Sequence, residues 1–201
     1  MKLIKMLSLT TLLLLQGISG WCGYKPGDTV ADFSLLNVDG NMVSMQSYKE
    51  AKGFIVVFTC NHCPFAKLYQ QRLNDMNTTY KALGYPVLAI SSNDAEAVPE
   101  DNMSEMKKRA KEKHYNFPYL YDESQSVARA FGAVKTPQAF VIQKENNKWV
   151  LKYYGAIDDN GAEPEKIKNK FVTDAVDALL ANKSISVTNT KSVGCAIKWK
   201  E

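Results

Sequence analysis

Phe54-Ile55-Val56-Val57-Phe58-Thr59-Cys60-Asn61-His62-Cys63-Pro64-Phe65 is the stretch whose reading decides the fold. Its apolar run is too short for most helices and rich in β-branched and aromatic residues, which predicts a buried strand. The strand delivers two cysteines, separated by two residues, to the start of a helix. At that spacing on a first helical turn both sulfurs lie on one face and can close a small-ring disulfide, while the helix N-terminus favours a thiolate. The motif points to dithiol chemistry at Cys60 and Cys63, with Cys60 expected nearer the helix N-terminus as the low-pKa, solvent-accessible thiol and Cys63 expected to be buried.

Outward from this stretch the pattern alternates strands and helices. Before it, turn signals at Lys25-Pro26-Gly27-Asp28 and Val38-Asp39-Gly40-Asn41 predict a β-hairpin pairing residues 34–38 with 41–45. After it, Phe65, Leu68, Tyr69, Leu73, Met76, Tyr80 and Leu83 form one helical stripe closed by Gly84. A strand over 86–92 follows, so strand–helix–strand order implies a parallel pair with a right-handed crossover. Residues 100–113 read as a polar helix whose charges solvate a surface face. Next come an extended segment at 117–122, a short helix over 124–131, and a strand at 138–142. That strand is in hairpin relation with another at 149–154, and a final helix covers 163–182 with Ile167, Phe171, Val172, Ala175, Val176, Leu179 and Leu180 on its apolar face.

The ends of the chain set its context. Residues 1–20 carry Lys2 and Lys5, an apolar stretch through Leu12-Leu13-Leu14-Leu15, and then Gly17, Ser19 and Gly20, which reads as a secretory signal peptide. The protein is therefore expected to be exported, periplasmic or extracellular, and to touch a membrane only if that segment stays uncleaved. Trp21 before Cys22 disfavours lipidation. Removing the segment takes away two lysines and no acids, so the formal charge falls from +4 to about +2. A near-neutral chain without a basic block excludes nucleic acid as a partner. The expected organisation is a signal peptide at 1–20, one domain at 21–182 and a C-terminal tail at 183–201.

Four cysteines, Cys22, Cys60, Cys63 and Cys195, occur in the chain. With Cys60 and Cys63 paired, Cys22 and Cys195 are left at opposite ends. They can form a structural staple, which would close a loop of about 170 residues with a stabilisation of up to roughly 5 kcal/mol, or act as extra redox thiols. We expect the staple, with relay of Cys195 to the dithiol as the rival.

The order of strand, Cys60-Asn61-His62-Cys63-Pro64, helix, strand, helix, then Thr136-Pro137 before two antiparallel strands and a last helix, resembles the thioredoxin superfamily. The N-terminal hairpin and Asp32-Phe33 look like its redoxin branch, the AhpC/TSA-like or peroxiredoxin-like proteins. The ending Ser192-Val193-Gly194-Cys195-Ala196-Ile197-Lys198-Trp199-Lys200 looks like that of a peroxiredoxin-like subfamily that also carries Cys-Asn-His-Cys-Pro-Phe. The resemblance implies an α/β, thioredoxin-like fold: a central mixed sheet flanked by helices, with an N-terminal β-hairpin extension and a C-terminal tail. It also implies that Cys60 attacks, Cys63 resolves, and Pro137 is a cis-proline whose neighbour Thr136 pairs with an incoming client peptide.

The expected function is that of an exported thiol–disulfide oxidoreductase acting on protein or small thiol clients and served by an unknown redox partner. The alternatives are a thiol-dependent peroxidase acting on peroxides and a non-catalytic thioredoxin-fold binding module. The peroxidase pattern Pro-x-x-x-Thr/Ser-x-x-Cys fails, since Ile55 stands four residues before Thr59 and His62 three after. No cofactor is expected. Zinc would require a second Cys/His pair at similar spacing, and covalent haem would require His where Pro64 stands, so no metal is expected either. Asn61 and His62 are the candidate redox-tuning residues, a positive charge on His62 favouring the Cys60 thiolate.

Overall fold

The computed structural model describes residues 23–201. The signal-peptide reading of 1–20 and Cys22 both lie outside the described residues. In chain order the strands and helices are β1 Thr29–Val30, β2 Ser34–Asn37, β3 Met42–Ser44, β4 Gly53–Phe58, α1 Pro64–Leu68, α2 Gln70–Tyr80, β5 Val87–Ser91, α3 Met103–Glu112, β6 Tyr119–Tyr121, α4 Ser126–Phe131, β7 Lys135–Thr136, β8 Gln138–Glu145, β9 Lys148–Gly155, α5 Phe171–Leu180 and β10 Cys195–Ala196.

All six residues of β4 are buried, as an apolar run without alternation requires of a strand covered on both faces. It lies inside a mixed sheet of order β1-β9-β8-β4-β5-β6-β2-β3, parallel to β5 and antiparallel to β8. Side-chain alternation divides the core in two. Ile55 and Val57 face Leu73 and Met76 of α2, Met106 of α3, and Val172 and Val176 of α5. Phe54, Val56 and Phe58 face the other way, where Phe58 packs edge-on against Phe131 of α4 and Phe140 of β8. With two covered faces, β4 fixes where its C-terminal end, and hence the dithiol, must sit.

The hairpin forms as expected, with Ser34 opposite Ser44, but it joins the sheet through β6, at the edge away from β8. Strand β1 is too short to show a period, and it exists because its two residues pair with Val150 and Trp149.

Two helix readings need correction. The stripe over 65–83 is not one helix but α1 and α2, broken at Tyr69. There the amide bonds back to Ala66, a 3₁₀-type contact, and the phenol donates to Asp158 (2.9 Å). The last helix starts at Phe171, not 163. Pro164 opens a separate single 3₁₀ turn, and the Asp159 carboxylate holds the amides of Lys168 and Asn169 (3.0 and 3.1 Å) in a loop conformation.

Residues beyond 182 run back over the domain. Thr190 hydrogen-bonds with the backbone of Tyr154 and Ala156, and β10 pairs antiparallel with β7, setting Cys195 opposite Thr136.

Candidate active site

Strand β4 ends at Phe58, and the Thr59 amide still bonds to Ile90 O of β5 (2.8 Å), so Cys60 leaves the sheet from a rigid edge. The turn through Asn61 and His62 reaches Cys63, which is the N-cap of α1 with Pro64 in the first helical position. Proline suits that place because its φ is already helical and it has no N–H to leave unpaired. This corrects the expectation that Cys60 sits nearer the helix start: Cys63 caps the helix, and Cys60 precedes it by one turn.

Both thiols are buried, Cys60 at 2% exposure and Cys63 at 0%, so Cys60 is not the solvent-open thiol that its position suggested. Cys60 Sγ lies 3.2 Å from Thr136 Oγ1. Cys63, as a thiol, donates to the Thr136 carbonyl (3.1 Å) and lies 2.6 Å from Cys195 Sγ. The Thr136–Pro137 bond is cis. Thr136 thus meets Cys60 through its hydroxyl and Cys63 through its carbonyl, and the edge expected for a client peptide is taken by the chain's own β10. Cys195, half-buried, is the least covered of the three sulfur residues.

The surroundings of Cys60 and Cys63 move the two thiols in opposite directions. The Cys60 thiol hydrogen-bonds the Cys63 sulfur, with the Cys195 thiol and the Ala66 amide adding to this against the opposing effect of burial. Together these hold the Cys63 thiol down at about 4. The same contact, burial and the nearby Asp101 carboxylate push the Cys60 thiol well up. Cys195 is pushed up to about 11 by burial and by Cys63. The charge expected at Cys60 thus rests on Cys63.

A fully buried carboxylate missing from the sequence reading organises the turn. Asp101 accepts from the amides of Asn61 (2.6 Å) and His62 (3.2 Å), from Asn93 Nδ2 (2.8 Å), and pairs with His62 Nδ1 (2.6 Å). Asn61 is buried as well, with its amide donating to Glu100 O and its oxygen accepting from the Tyr119 hydroxyl. Both candidate tuning residues are therefore held by one cradle. The charges of 100–113 are not all on a solvated face: α3 begins only after Asn102, whose side chain caps Glu105 N (2.9 Å). The pattern Pro99-x-x-Asn102-x-x-Glu105 is a helix-start signal that places Asp101 before the cap, free to point inward.

Ligand atoms of Cys60, His62 and Asp101 lie within 4.8 Å of one another. Each Asp101 oxygen already has two partners, so the cluster is tied together by hydrogen bonds. Arg72 stands in a different cradle, bonded to Asp158 (2.6 Å) and the carbonyls of Asn160 and Gly161, and Arg129 lies over the Trp199 ring. Beside Pro137 a 490 Å³ groove is rimmed by Phe65, Leu68, Phe171 and Val193. Three of these, Phe65, Leu68 and Val193, are large exposed apolar residues.

A family model described as the AhpC/TSA family matches residues 26–148. No curated protein matches the chain. Among solved structures, a hypothetical protein from Sinorhizobium meliloti 1021 is 36% identical with a TM-score of 0.81, covering 89% of this chain and 97% of that one. An uncharacterized conserved protein from Geobacillus kaustophilus is 38% identical with a TM-score of 0.80, covering 87% and 92%. The pneumococcal exposed lipoprotein thioredoxin from Streptococcus pneumoniae, 20% identical, has a TM-score of 0.56 over 76% of this chain and 99% of that one, a likeness of fold. Among the described residues no helix is long and apolar enough to cross a membrane.

Proposed function

The chain belongs to the AhpC/TSA family, has a thioredoxin-like α/β fold and is a thiol-redox enzyme, and from that premise we propose that it catalyses thiol–disulfide exchange through Cys60 and Cys63. The observation that carries this reading is the buried dithiol set against the cis Thr136–Pro137 turn, with Cys60 at the Thr136 hydroxyl and Cys63 at its carbonyl. Cys60 is the exchanging sulfur. As a client disulfide approaches, Cys60 gives its proton to the Cys63 thiolate and attacks one client sulfur. A Cys60–client bond forms and the other client sulfur leaves as a thiolate, which takes the proton now held by Cys63. Cys63 then attacks Cys60 and closes the Cys60–Cys63 bond, releasing the second client thiolate. The client gains two electrons and the enzyme loses two; with the donor and acceptor exchanged, the same steps run backward.

The cradle around Asp101 sets the geometry of this exchange, because it fixes both residues between the cysteines. The apolar rim of Phe65, Leu68 and Val193 supports protein clients, whose apolar side chains it would cover. Export to a periplasmic or extracellular space is proposed from the basic-then-apolar segment at 1–20. The peroxidase alternative has less support, since its Pro-x-x-x-Thr/Ser-x-x-Cys pattern is lacking and Arg72 and Arg129 are engaged by Asp158 and the Trp199 ring.

The test is alkylation and mass spectrometry of the full chain across a glutathione redox series, with Cys63→Ser used to trap clients. A reversible two-electron Cys60–Cys63 couple and mixed disulfides at Cys60 are expected. Absence of that couple, or trapping that survives Cys60→Ser, overturns the reading, and fast turnover of hydrogen peroxide would favour the peroxidase.

A further inference from the structure

We infer that Cys195 is a third redox cysteine, which takes the disulfide from Cys60–Cys63 onto Cys63–Cys195 and carries it to the surface, where a reducing thiol regenerates the enzyme. The inference rests on the exchange reading above and adds a second port to it.

Three observations converge on it. Cys195 Sγ lies 2.6 Å from Cys63 Sγ and forms a cluster with Cys60, Cys63 and Ala66. It is the one member of the trio that is more than slightly exposed, Cys60 standing at 2% and Cys63 at 0%. The segment that carries it is built into the fold on both sides. Upstream, Thr190 binds Tyr153 OH (2.6 Å) and the Ala156 amide (2.9 Å). Downstream, Ile197 is buried and its amide bonds to Val134 O (3.1 Å), while the Lys198 amide bonds to Asn93 Oδ1 (2.8 Å). Asn93 is also a donor to Asp101, so the tail is tied to the cradle that holds His62. Gly194 lies so close to Thr136 that an added Cβ would overlap the Thr136 carbonyl oxygen.

The pairing of β10 with β7 supplies the chemistry. An antiparallel strand opposite Thr136 is the arrangement expected of a docked client, and here the chain itself provides the strand, with a cysteine in the position of the client's sulfur. Deprotonated Cys195, beside Lys135 and Lys198, attacks Cys63 Sγ of the oxidised pair. The Cys63–Cys195 bond forms, the Cys60–Cys63 bond breaks, and the electron pair stays on Cys60, which takes up the proton that Cys195 lost. No external oxidant or reductant enters this step. An incoming thiolate of the reductant then attacks Cys195, and Cys63 leaves as the stabilised thiolate; a second reductant thiolate attacks the sulfur now bound to Cys195, so that the two reductant thiols leave as one disulfide and Cys195 departs as a thiolate and is reprotonated. Client oxidation state is thus changed at Cys60 and regeneration occurs at Cys195, so the two half-reactions use different sulfurs of the trio.

The experiment is non-reducing peptide mapping of the alkylated full chain across a glutathione series, together with stopped-flow reduction of the oxidised protein by reduced glutathione. The expected result is a Cys63–Cys195 peptide with Cys60 alkylated at intermediate potentials. Cys195→Ser should keep the Cys60–Cys63 couple but be re-reduced roughly tenfold or more slowly, as loss of a positioned intramolecular thiol implies. Gly194→Ala, which displaces the strand but keeps all sulfurs, should lower both the Cys63–Cys195 fraction and the re-reduction rate. Cys195 alkylated alone at every potential, a Cys22–Cys195 peptide in its place, or re-reduction of Cys195→Ser at the wild-type rate overturns the inference. Loss of the Cys60–Cys63 couple in Cys195→Ser would instead count against the exchange reading itself.

Discussion

Replacing Asp101 by Asn in a Cys63→Ser background isolates the effect of the buried carboxylate on Cys60, because the competing thiolate is gone. The Asp101 oxygen and Cys60 Sγ lie within 4.8 Å. At an effective dielectric of about 20, two unit negative charges at that separation repel by roughly 3.5 kcal/mol. Fully expressed, this is on the order of 2.5 pKa units. His62 shares the carboxylate through its 2.6 Å contact, and any positive charge there offsets part of the repulsion, so we expect a shift of about 1–2 units. The sign follows from the anion: Asp101 disfavours the Cys60 thiolate, so Asp101→Asn lowers the Cys60 pKa and speeds alkylation at neutral pH. The substitution also has a structural cost. Asn can still accept from the Asn61 and His62 amides, but its NH₂ then faces Asn93 Nδ2 and His62 Nδ1, leaving buried donors unpaired at about 1–3 kcal/mol. The assay is the pH dependence of iodoacetamide alkylation of Cys60, read by mass, alongside urea unfolding. If the urea midpoint falls but Cys60 titrates at the same or a higher pH, the carboxylate does not act on the thiol and the electrostatic reasoning is refuted.

In the reduced full-length protein, thiolate absorbance at 240 nm should persist through neutral pH and disappear only as pH falls through about 4, because the Cys63 thiol is lowered in the fold. Cys60→Ala removes its strongest hydrogen-bond donor and should move that midpoint upward, and a single step near 8.5, the ordinary thiol value, would contradict the opposed shifts of the two thiols. Arg72→Met should destabilise the protein by about 3 kcal/mol, since it leaves the buried Asp158 charge with only neutral partners and frees the carbonyls of Asn160 and Gly161. An unchanged urea midpoint would show that this pair contributes nothing net.

Elements whose signals are local were legible in the amino-acid sequence. The unbroken run at 54–58 could only be a strand covered on both faces, and the Cys60-Asn61-His62-Cys63-Pro64 order specified a turn into a helix, although it was the fold that put Cys63 rather than Cys60 at the helix cap. The hairpin at 34–44 and the pair β8–β9 followed from alternation and turn residues. The break at Tyr69 was hidden because its apolar ring continues the helical stripe, while its hydroxyl answers to Asp158, 89 residues away. Asp101 was passed over among surface charges because charge alone does not reveal which side of a helix cap a carboxylate occupies. The meeting of Cys63 with Cys195 spans 132 residues. No periodicity encodes such a contact, because it depends on where β7 leaves an unpaired edge for the tail to fill. Composition and spacing thus determined that two cysteines would be presented by a strand end to a helix start. Only the packed chain decided which sulfur holds the charge, which carboxylate steadies the turn and which third thiol stands beside the pair, because hydrogen bonding, burial and strand pairing arise between segments distant in sequence.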